Sequence, residues 1–273
     1  MSNDFSGFNK ENVGDYFKEL SKEIKKEFGR QANIELIVVG GASILLNYGF
    51  RESTQDIDAF VATHSSIKEA INRVGDKFNL PNGWINSDFK QTLSFSPKLI
   101  QVSKPYRTYN QVLSVRTVSE EYLVAMKLAS FRQYKTDSSD IIGIIQEQRI
   151  KGEPITFEAV DNAVRLLYNG WENMPDKSKD FLINALNPDL PQGVYDIAKN
   201  TEETNKTLLV NFEKEYPNVL KSENLDSILE SIKSKSNSEP VLFSRNVQKI
   251  FAEKASDQPM QQRDDKGKDD ITH

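Results

Sequence analysis

A strand that stops at a pair of glycines limits what the first half of this chain can fold into. The mainly apolar run Ile34–Val39 ends at Gly40 and Gly41, Ser43 then opens an amphipathic segment, and Asp56-Ile57-Asp58 follows on a second predicted strand. Alternate residues of a strand share a face, so the two aspartates should point the same way. Carboxylates can hold a divalent cation and a helix N-terminus can hold a phosphate. The pattern therefore indicates chemistry on a nucleoside triphosphate.

Each half of this pattern also has a structural explanation. Gly40 and Gly41 could form only a tight turn with Ser43 as a helix N-cap, and aspartates often form turns. In the functional interpretation, the glycines let backbone N–H groups approach phosphate oxygens, and the Ser43 hydroxyl donates to the β- or γ-phosphate. Aspartate is disfavoured in strands, and two like charges repel unless a cation lies between them. This favours Asp56 and Asp58 as Mg²⁺ ligands.

A second motif lies downstream, from Lys127-Leu128-Ala129-Ser130 to Asp140. Together the two motifs resemble those of the DNA polymerase β-like nucleotidyltransferases, in particular the abortive-infection type of toxin, over residues 30 to 150. The resemblance implies Mg²⁺-dependent transfer of a nucleotidyl group from an NTP to an acceptor hydroxyl, on a tRNA 3′ end or on a protein. It also implies a toxin with a cognate antitoxin.

The resemblance assigns roles to the downstream motif as well. Lys127 and Asp140 fit the positions of a catalytic lysine and aspartate, with Asp137 as the alternative. Lys127 would neutralise triphosphate charge; otherwise it is a surface lysine with a buried stem. Arg132 and Lys135 could hold phosphates or an RNA backbone, and could equally pair with Asp137 and Asp140.

One feature departs from the polymerase-type pattern, which has a third carboxylate on a later strand. Asp88 is the only acidic residue between positions 84 and 116, and its polar surroundings predict a turn. A catalytically degenerate protein that acts as a binding or antitoxin-like partner therefore stays open, as does a plain α/β interaction protein. Arg51 and Thr54, in the loop inside the first motif, could touch a nucleotide.

Composition excludes several other classes of protein. The 273 residues include no cysteine and only two histidines, which excludes disulfides, thiolate metal sites and a histidine-rich zinc site. The net charge of −5 does not indicate a nucleic-acid binder, although a local basic patch could coexist with it. No apolar run is long enough to cross a bilayer, and the first ten residues are too polar for a signal peptide. We expect a cytoplasmic protein without a membrane partner.

The predicted fold is α/β (α+β), a small mixed sheet flanked by helices with a helical C-terminal region. We expect a nucleotidyltransferase core at 1–118, a helical region that completes the active-site cleft at 119–254, and a disordered tail at 255–273. Apolar periodicity predicts helices at 12–28, 43–48, 65–78, 137–148 and 156–168, and another that opens at Ser119. It predicts strands at 34–39, 56–62, 92–95, 99–102 and 112–115.

Overall fold

A computed structural model describes residues 5–62 and 66–235. His64 and the predicted tail at 255–273 lie outside the described residues. The described helices are α1 Lys10–Phe28, α2 Gly40–Asn47, α3 Lys68–Phe78, α4 Leu99–Val102, α5 Glu120–Ser130, α6 Asp137–Ile150, α7 Phe157–Tyr168, α8 Ser178–Ala185, α9 Val194–Glu215 and α10 Leu225–Lys235. The strands are β1 Ile34–Val38, β2 Ile57–Val61, β3 Ile85–Asn86, β4 Ser103–Tyr109 and β5 Leu113–Val118.

The five strands form one mixed sheet in the order β3-β2-β1-β5-β4. The central strand β1 runs antiparallel to β2 and parallel to β5, while β3 is parallel to β2 and β4 is antiparallel to β5. Because β1 has neighbours on both edges and helices on both faces, its residues are largely apolar. The predicted fold class is confirmed.

Alternating residues of the inner strands enter two different cores. Leu36 and Val38 of β1 pack on one face with α1 and α3. Ile37 of β1 and Phe60 of β2 pack on the other face, with α5, α6, α7, α8 and α9. Asp58 lies two residues before Phe60, so it points toward the later helices. The sheet therefore directs its Asp-x-Asp toward the C-terminal half of the chain.

Two strand predictions were wrong. Residues 92–98 form turns, and Leu99–Val102 is the short helix α4, whereas β4 begins only at Ser103. Strand β4 is at the sheet edge and carries exposed residues along most of its length, including Pro105, beside which the ladder is irregular. An exposed edge strand has no apolar alternation and tolerates proline, so its sequence gives little strand signal.

The predicted boundary between residues 118 and 119 falls at the end of β5, just before α5. The helices after it share a core with Ile37 and Phe60 of the sheet. Within the described ranges, every helix is too short or too polar to span a lipid bilayer.

Candidate functional site

A cleft of about 800 Å³ lies between the sheet and α9. Its size suits a small-molecule ligand such as a nucleotide. One wall comes from the N-terminus of α2, the loop before β2, and the segment from α5 to the start of α6. The opposite wall comes from α9 and the residues that follow it. Of the predicted site residues, those that line the cleft are Gly40, Gly41, Asp56, Asp58, Lys127, Arg132 and Lys135.

The two glycines make room for charged side chains. Gly40 has φ +58°, and a Cβ there would lie 3.1 Å from Oδ2 of Asp58. A Cβ on Gly41 would lie 2.7 Å from Nη2 of Arg51 and 3.0 Å from the Thr54 hydroxyl. Any larger residue at Gly41 would displace the guanidinium. Both positions therefore require glycine, because the side chains of Asp58, Arg51 and Thr54 lie so close to the start of α2.

Ser43 does not lie in the cleft. Helix α2 begins at Gly40, so Ser43 is in its second turn and is not the N-cap; the N-cap is Val39. The Ser43 hydroxyl is fully buried and accepts the backbone N–H of Val118 at 3.4 Å. The N-cap prediction for Ser43 is therefore wrong, and Ser43 joins α2 to the end of β5. Its predicted contact with a phosphate stays a prediction.

Asp56 and Asp58 both face the cleft, as the strand pattern predicted. Asp56 is exposed just before β2, and Asp58 is half-buried within it. The pKa of Asp58 is raised to about 6, chiefly by burial and also by the nearby charge of Asp56, while Lys127 and Arg132 oppose the rise. The Asp58 carboxylate is thus placed where a cation would relieve an unfavourable charge.

Strand β3, which the sequence did not predict, lies beside this pair. Asn86 is the register partner of Asp58, and Asp88 follows at the start of a 3₁₀ turn. Asp88 lines the cleft and also raises the pKa of Asp58. Among the described residues, no three acidic, histidine or cysteine side chains converge closely enough to hold a metal ion. The residue beside Asp58 on the neighbouring strand β3 is Asn86, whose side chain is an uncharged amide.

Lys127 is held in a buried network of charges. Its Nζ lies 2.9 Å from Oδ1 of Asp137 and 2.8 Å from Oδ2 of Asp140, and only a tenth of its side chain is exposed. Burial alone would lower the pKa of Lys127, but the two carboxylates outweigh burial and raise it. The pKa of Asp137 falls to about 2: burial favours the neutral acid, but Lys127 and Arg132 outweigh it. Lys127 and Asp137 are therefore both charged at neutral pH.

Asp137 and Asp140 lie behind the cationic side chains and do not line the cleft. Asp137 is fully buried and also accepts the backbone N–H and the side chain of Arg132. Asp140 is 4% exposed and pairs with Arg51 at 2.6 Å. The Asp140 carboxylate holds Arg51 and Lys127 in place, and its predicted catalytic role stays a prediction.

Arg51 lines the cleft and makes more contacts than its sequence position indicated. Its Nη1 bonds to Asp140 and Thr136, its Nε donates to the Ser53 carbonyl, and its Nη2 faces Gly41. The loop between α2 and β2 thus reaches the first turn of α6. The sequence does place this arginine between the two halves of the first motif. Its partner Asp140 is far away in sequence, so the pair could not be predicted.

Arg132 and Lys135 differ in how firmly they are held. Arg132 pairs with Asp137 and is about one third exposed, while Lys135 is exposed at the edge of the cleft. No ion pair joins Lys135 to the part of the chain that the structure describes. Lys135 can therefore turn toward an anionic ligand without breaking an internal contact.

Glu202 of α9 connects the two walls. Its carboxylate accepts the backbone N–H groups of Ser138 and Ser139 and the Ser139 hydroxyl, at 2.7, 3.2 and 2.5 Å. These N–H groups lie in the first turn of α6, where no helical partner exists. Burial raises the pKa of Glu202 to about 8.

The cleft thus combines the carboxylates of Asp56, Asp58 and Asp88, a glycine-lined helix start and several cationic side chains. A family model described as a nucleotidyltransferase of unknown function (DUF6036) matches residues 15–169, more than half of the chain. Neither the curated proteins nor the solved structures include a match to this sequence.

Proposed function

From the premise that the chain belongs to this nucleotidyltransferase family of unknown function, we propose that it moves a nucleoside monophosphate from an NTP to an acceptor hydroxyl with the help of Mg²⁺. One observation carries the proposal: Asp56 and Asp58 face the same cleft as Gly40, Gly41 and the cationic residues. Electrostatic catalysis of this transfer needs positively charged groups held in fixed positions around the negative charge of the polyphosphate.

The donor atoms fit Mg²⁺. This ion favours oxygen ligands, keeps several waters, and commonly binds through one or two carboxylates plus substrate phosphates. Asp56 and Asp58 would supply the two carboxylates, and the triphosphate would complete the set. The bound ion would orient the triphosphate and neutralise the pyrophosphate as it leaves.

The remaining cleft residues would bind and orient the substrates. Arg51 Nη2 and Lys135 would contact phosphate oxygens, while Asp140 and Asp137 keep Arg51, Lys127 and Arg132 in position. The acceptor oxygen forms a bond to the α-phosphorus, the bond to the β-phosphate oxygen breaks, pyrophosphate leaves, and the hydroxyl proton passes to solvent.

We place the protein with the DNA polymerase β-like enzymes, as a toxin of the abortive-infection type that modifies RNA or protein and is opposed by an antitoxin. The order of the two motifs supports this assignment. A second candidate is a degenerate member that binds nucleotide without turnover. The neutral Asn86 opposite Asp58, and the absence of a three-carboxylate group in the described ranges, favour that alternative.

Nucleotide turnover separates the two candidates. Purified protein is incubated with each α-labelled NTP, Mg²⁺, total RNA and a cell lysate. Transfer of label that needs Mg²⁺ and is lost in Asp56→Asn/Asp58→Asn supports the transferase. NTP binding without transfer supports the degenerate member. If the wild type neither binds nor transfers, both candidates are wrong.

A further inference from the structure

The second wall of the cleft bears on the identity of the acceptor. The nucleotide-facing wall comes from residues 39–136, within the family match at 15–169, whereas the second wall comes from α9 and residues up to 225. An acceptor has to reach the α-phosphate from the side that the nucleotide leaves free. The chemistry of the second wall therefore selects the acceptor.

The charges on this wall are mixed. Lys199, Glu203, Lys206 and Glu213 line the cleft along one stripe of α9. The stripe from Lys199 to Glu213 is about 21 Å long at 1.5 Å per residue. Single-stranded RNA laid along it would bring several phosphates against two lysines and two glutamates. Proteins that bind nucleic acid present clustered basic residues instead, because phosphate contacts supply most of the affinity.

The same wall offers apolar contacts. Val210 on α9 is 46% exposed, and Leu220 and Leu225 line the cleft beside it without being fully buried. An RNA backbone would place charged phosphates and hydroxylated riboses against Val210, and no aromatic ring lies on this stripe of α9 for base stacking. A polypeptide can bury an apolar side chain there and pair charged neighbours with Lys206 and Glu203, while Glu213 accepts the backbone N–H groups of Asn218 and Leu220.

We propose that the acceptor is a polypeptide that lies along α9; this rests on the proposed nucleotidyl transfer. About six extended residues span the stripe, at roughly 3.3–3.6 Å each. The hydroxyl oxygen of a serine, threonine or tyrosine in that segment bonds to the α-phosphorus. The bond between the α-phosphorus and the bridging oxygen breaks, pyrophosphate leaves with the electron pair, and the hydroxyl proton passes to water.

The test supplies α-labelled NTP and Mg²⁺ with two separate fractions of one bacterial extract, nuclease-treated protein and protein-free RNA. We expect label in protein that resists nuclease and is lost on proteolysis. We also expect transfer to fall less than about tenfold between 50 and 200 mM salt, because few phosphates are contacted on the acceptor side. Label in RNA would overturn the proposal.

Two substitutions of equal charge on α9 localise the effect. Val210→Asp places a carboxylate on the apolar contact and should lower the rate of protein labelling at least tenfold. Asn211→Asp adds the same charge at an exposed neighbour outside the cleft lining and should leave the rate unchanged. Equal rates in the two variants would overturn the acceptor site.

NTP affinity, measured by calorimetry, separates this proposal from the proposed function. Val210→Asp should bind Mg²⁺–NTP like the wild type, because Val210 is on the opposite wall. If the wild type labels RNA alone, the polypeptide acceptor is overturned and the nucleotidyl transfer stands. If the wild type binds NTP but labels neither fraction, the transfer fails as well and only a nucleotide-binding site remains. If it binds no NTP, the proposed function itself fails, and the acceptor site with it.

Discussion

Burial raises the pKa of the Asp58 carboxyl group, and the neighbouring charge of Asp56 raises it as well. A carboxyl group whose folded-state pKa lies above its unfolded value stabilises the fold most at low pH. For Asp58, with a pKa raised from 3.8 to about 6, this contribution is present below pH 4 and is lost as the pH rises through 6. At neutral pH the ionised group thus opposes folding.

Asp58→Asn removes that penalty. We expect the variant to gain about 1–3 kcal/mol of unfolding free energy over the wild type at pH 7.5, and far less at pH 4, because one pKa unit corresponds to about 1.4 kcal/mol. Urea unfolding without Mg²⁺ measures both values. The exposed control Asp189→Asn should show no such pH dependence. The same Asp58 variant should lose Mg²⁺-dependent NTP binding in calorimetry.

Lys127 is a second residue whose environment decides the outcome of a substitution. Lys127→Ala leaves Asp137 and Asp140 buried with one cation fewer, and we expect a loss of about 3–5 kcal/mol of stability. The double variant Lys127→Ala/Asp137→Asn should recover part of this loss, because one of the unpaired charges is gone. Chemical denaturation of the four proteins of this cycle measures the coupling. A fully additive cycle would show that the pair does not interact.

At the scale of elements, the start of α2 and the start of α6 face each other across Arg51. The glycine pair keeps the first turn of α2 thin enough for the guanidinium. The first turn of α6 is held by Glu202 from α9. Neither helix relies on a side chain of its own N-cap residue. The two helix starts are therefore positioned by distant residues.

Gly41→Ala tests the first of these contacts. The added methyl group has to push Arg51 away, and we expect about 1–3 kcal/mol of destabilisation together with a roughly tenfold weaker Mg²⁺–NTP affinity. Gly49→Ala is the matched control, since the nearest atom to its new Cβ is 3.8 Å away. Thermal melts measure the stability of both variants, and calorimetry measures their Mg²⁺–NTP affinity. Similar affinities in the two would place Arg51 outside the nucleotide site.

Glu202→Gln tests the second contact through pH. With a folded-state pKa raised from 4.5 to about 8, Glu202 stabilises the protein at low pH and loses that contribution as the pH rises through 8. We therefore expect the wild-type melting temperature to fall between pH 6 and 9, and the fall to be smaller in Glu202→Gln. Glu203→Gln, an exposed neighbour, should follow the wild type. Parallel curves for all three proteins would contradict the burial of this charge.

The elements that the sequence predicted well are those with both a periodic apolar pattern and a clear end. Strand β1, with its glycine stop, and α6, with its isoleucines, are examples. The edge strand β4 was missed because it has no buried face to leave a pattern. In the site, strand alternation alone predicted that Asp56 and Asp58 share a face. It could not predict the ion-pair partners of Lys127 and Arg51, because these pairs depend on how distant elements pack.

At the scale of the whole molecule, the cleft joins a wall within the family match to a wall outside it. The first supplies the groups that would hold the nucleotide. The second, on α9, is tied to the first through Glu202, which holds the first turn of α6. The molecule as a whole is acidic, with a net charge of −5, so a basic surface does not dominate it.

Growth arrest tests the toxin assignment at this scale. Induced wild-type protein should arrest a bacterial host that lacks an antitoxin, because modification of RNA or of a translation component stops growth. Asp56→Ala/Asp58→Ala, expressed to the same level, should not. Cell density and viable counts after induction measure the effect. Arrest by both proteins would implicate binding in place of catalysis, and arrest by neither would remove the support for a toxin.

The contact between Glu202 and the first turn of α6 has a consequence for synthesis on the ribosome. The aspartates of β2 emerge early, but α6 lacks its capping carboxylate until residue 202 has left the exit tunnel. A nascent chain that ends before α9 carries half a cleft with no opposite wall. If the protein attacks translation, each copy would spare the ribosome that makes it until α9 has emerged.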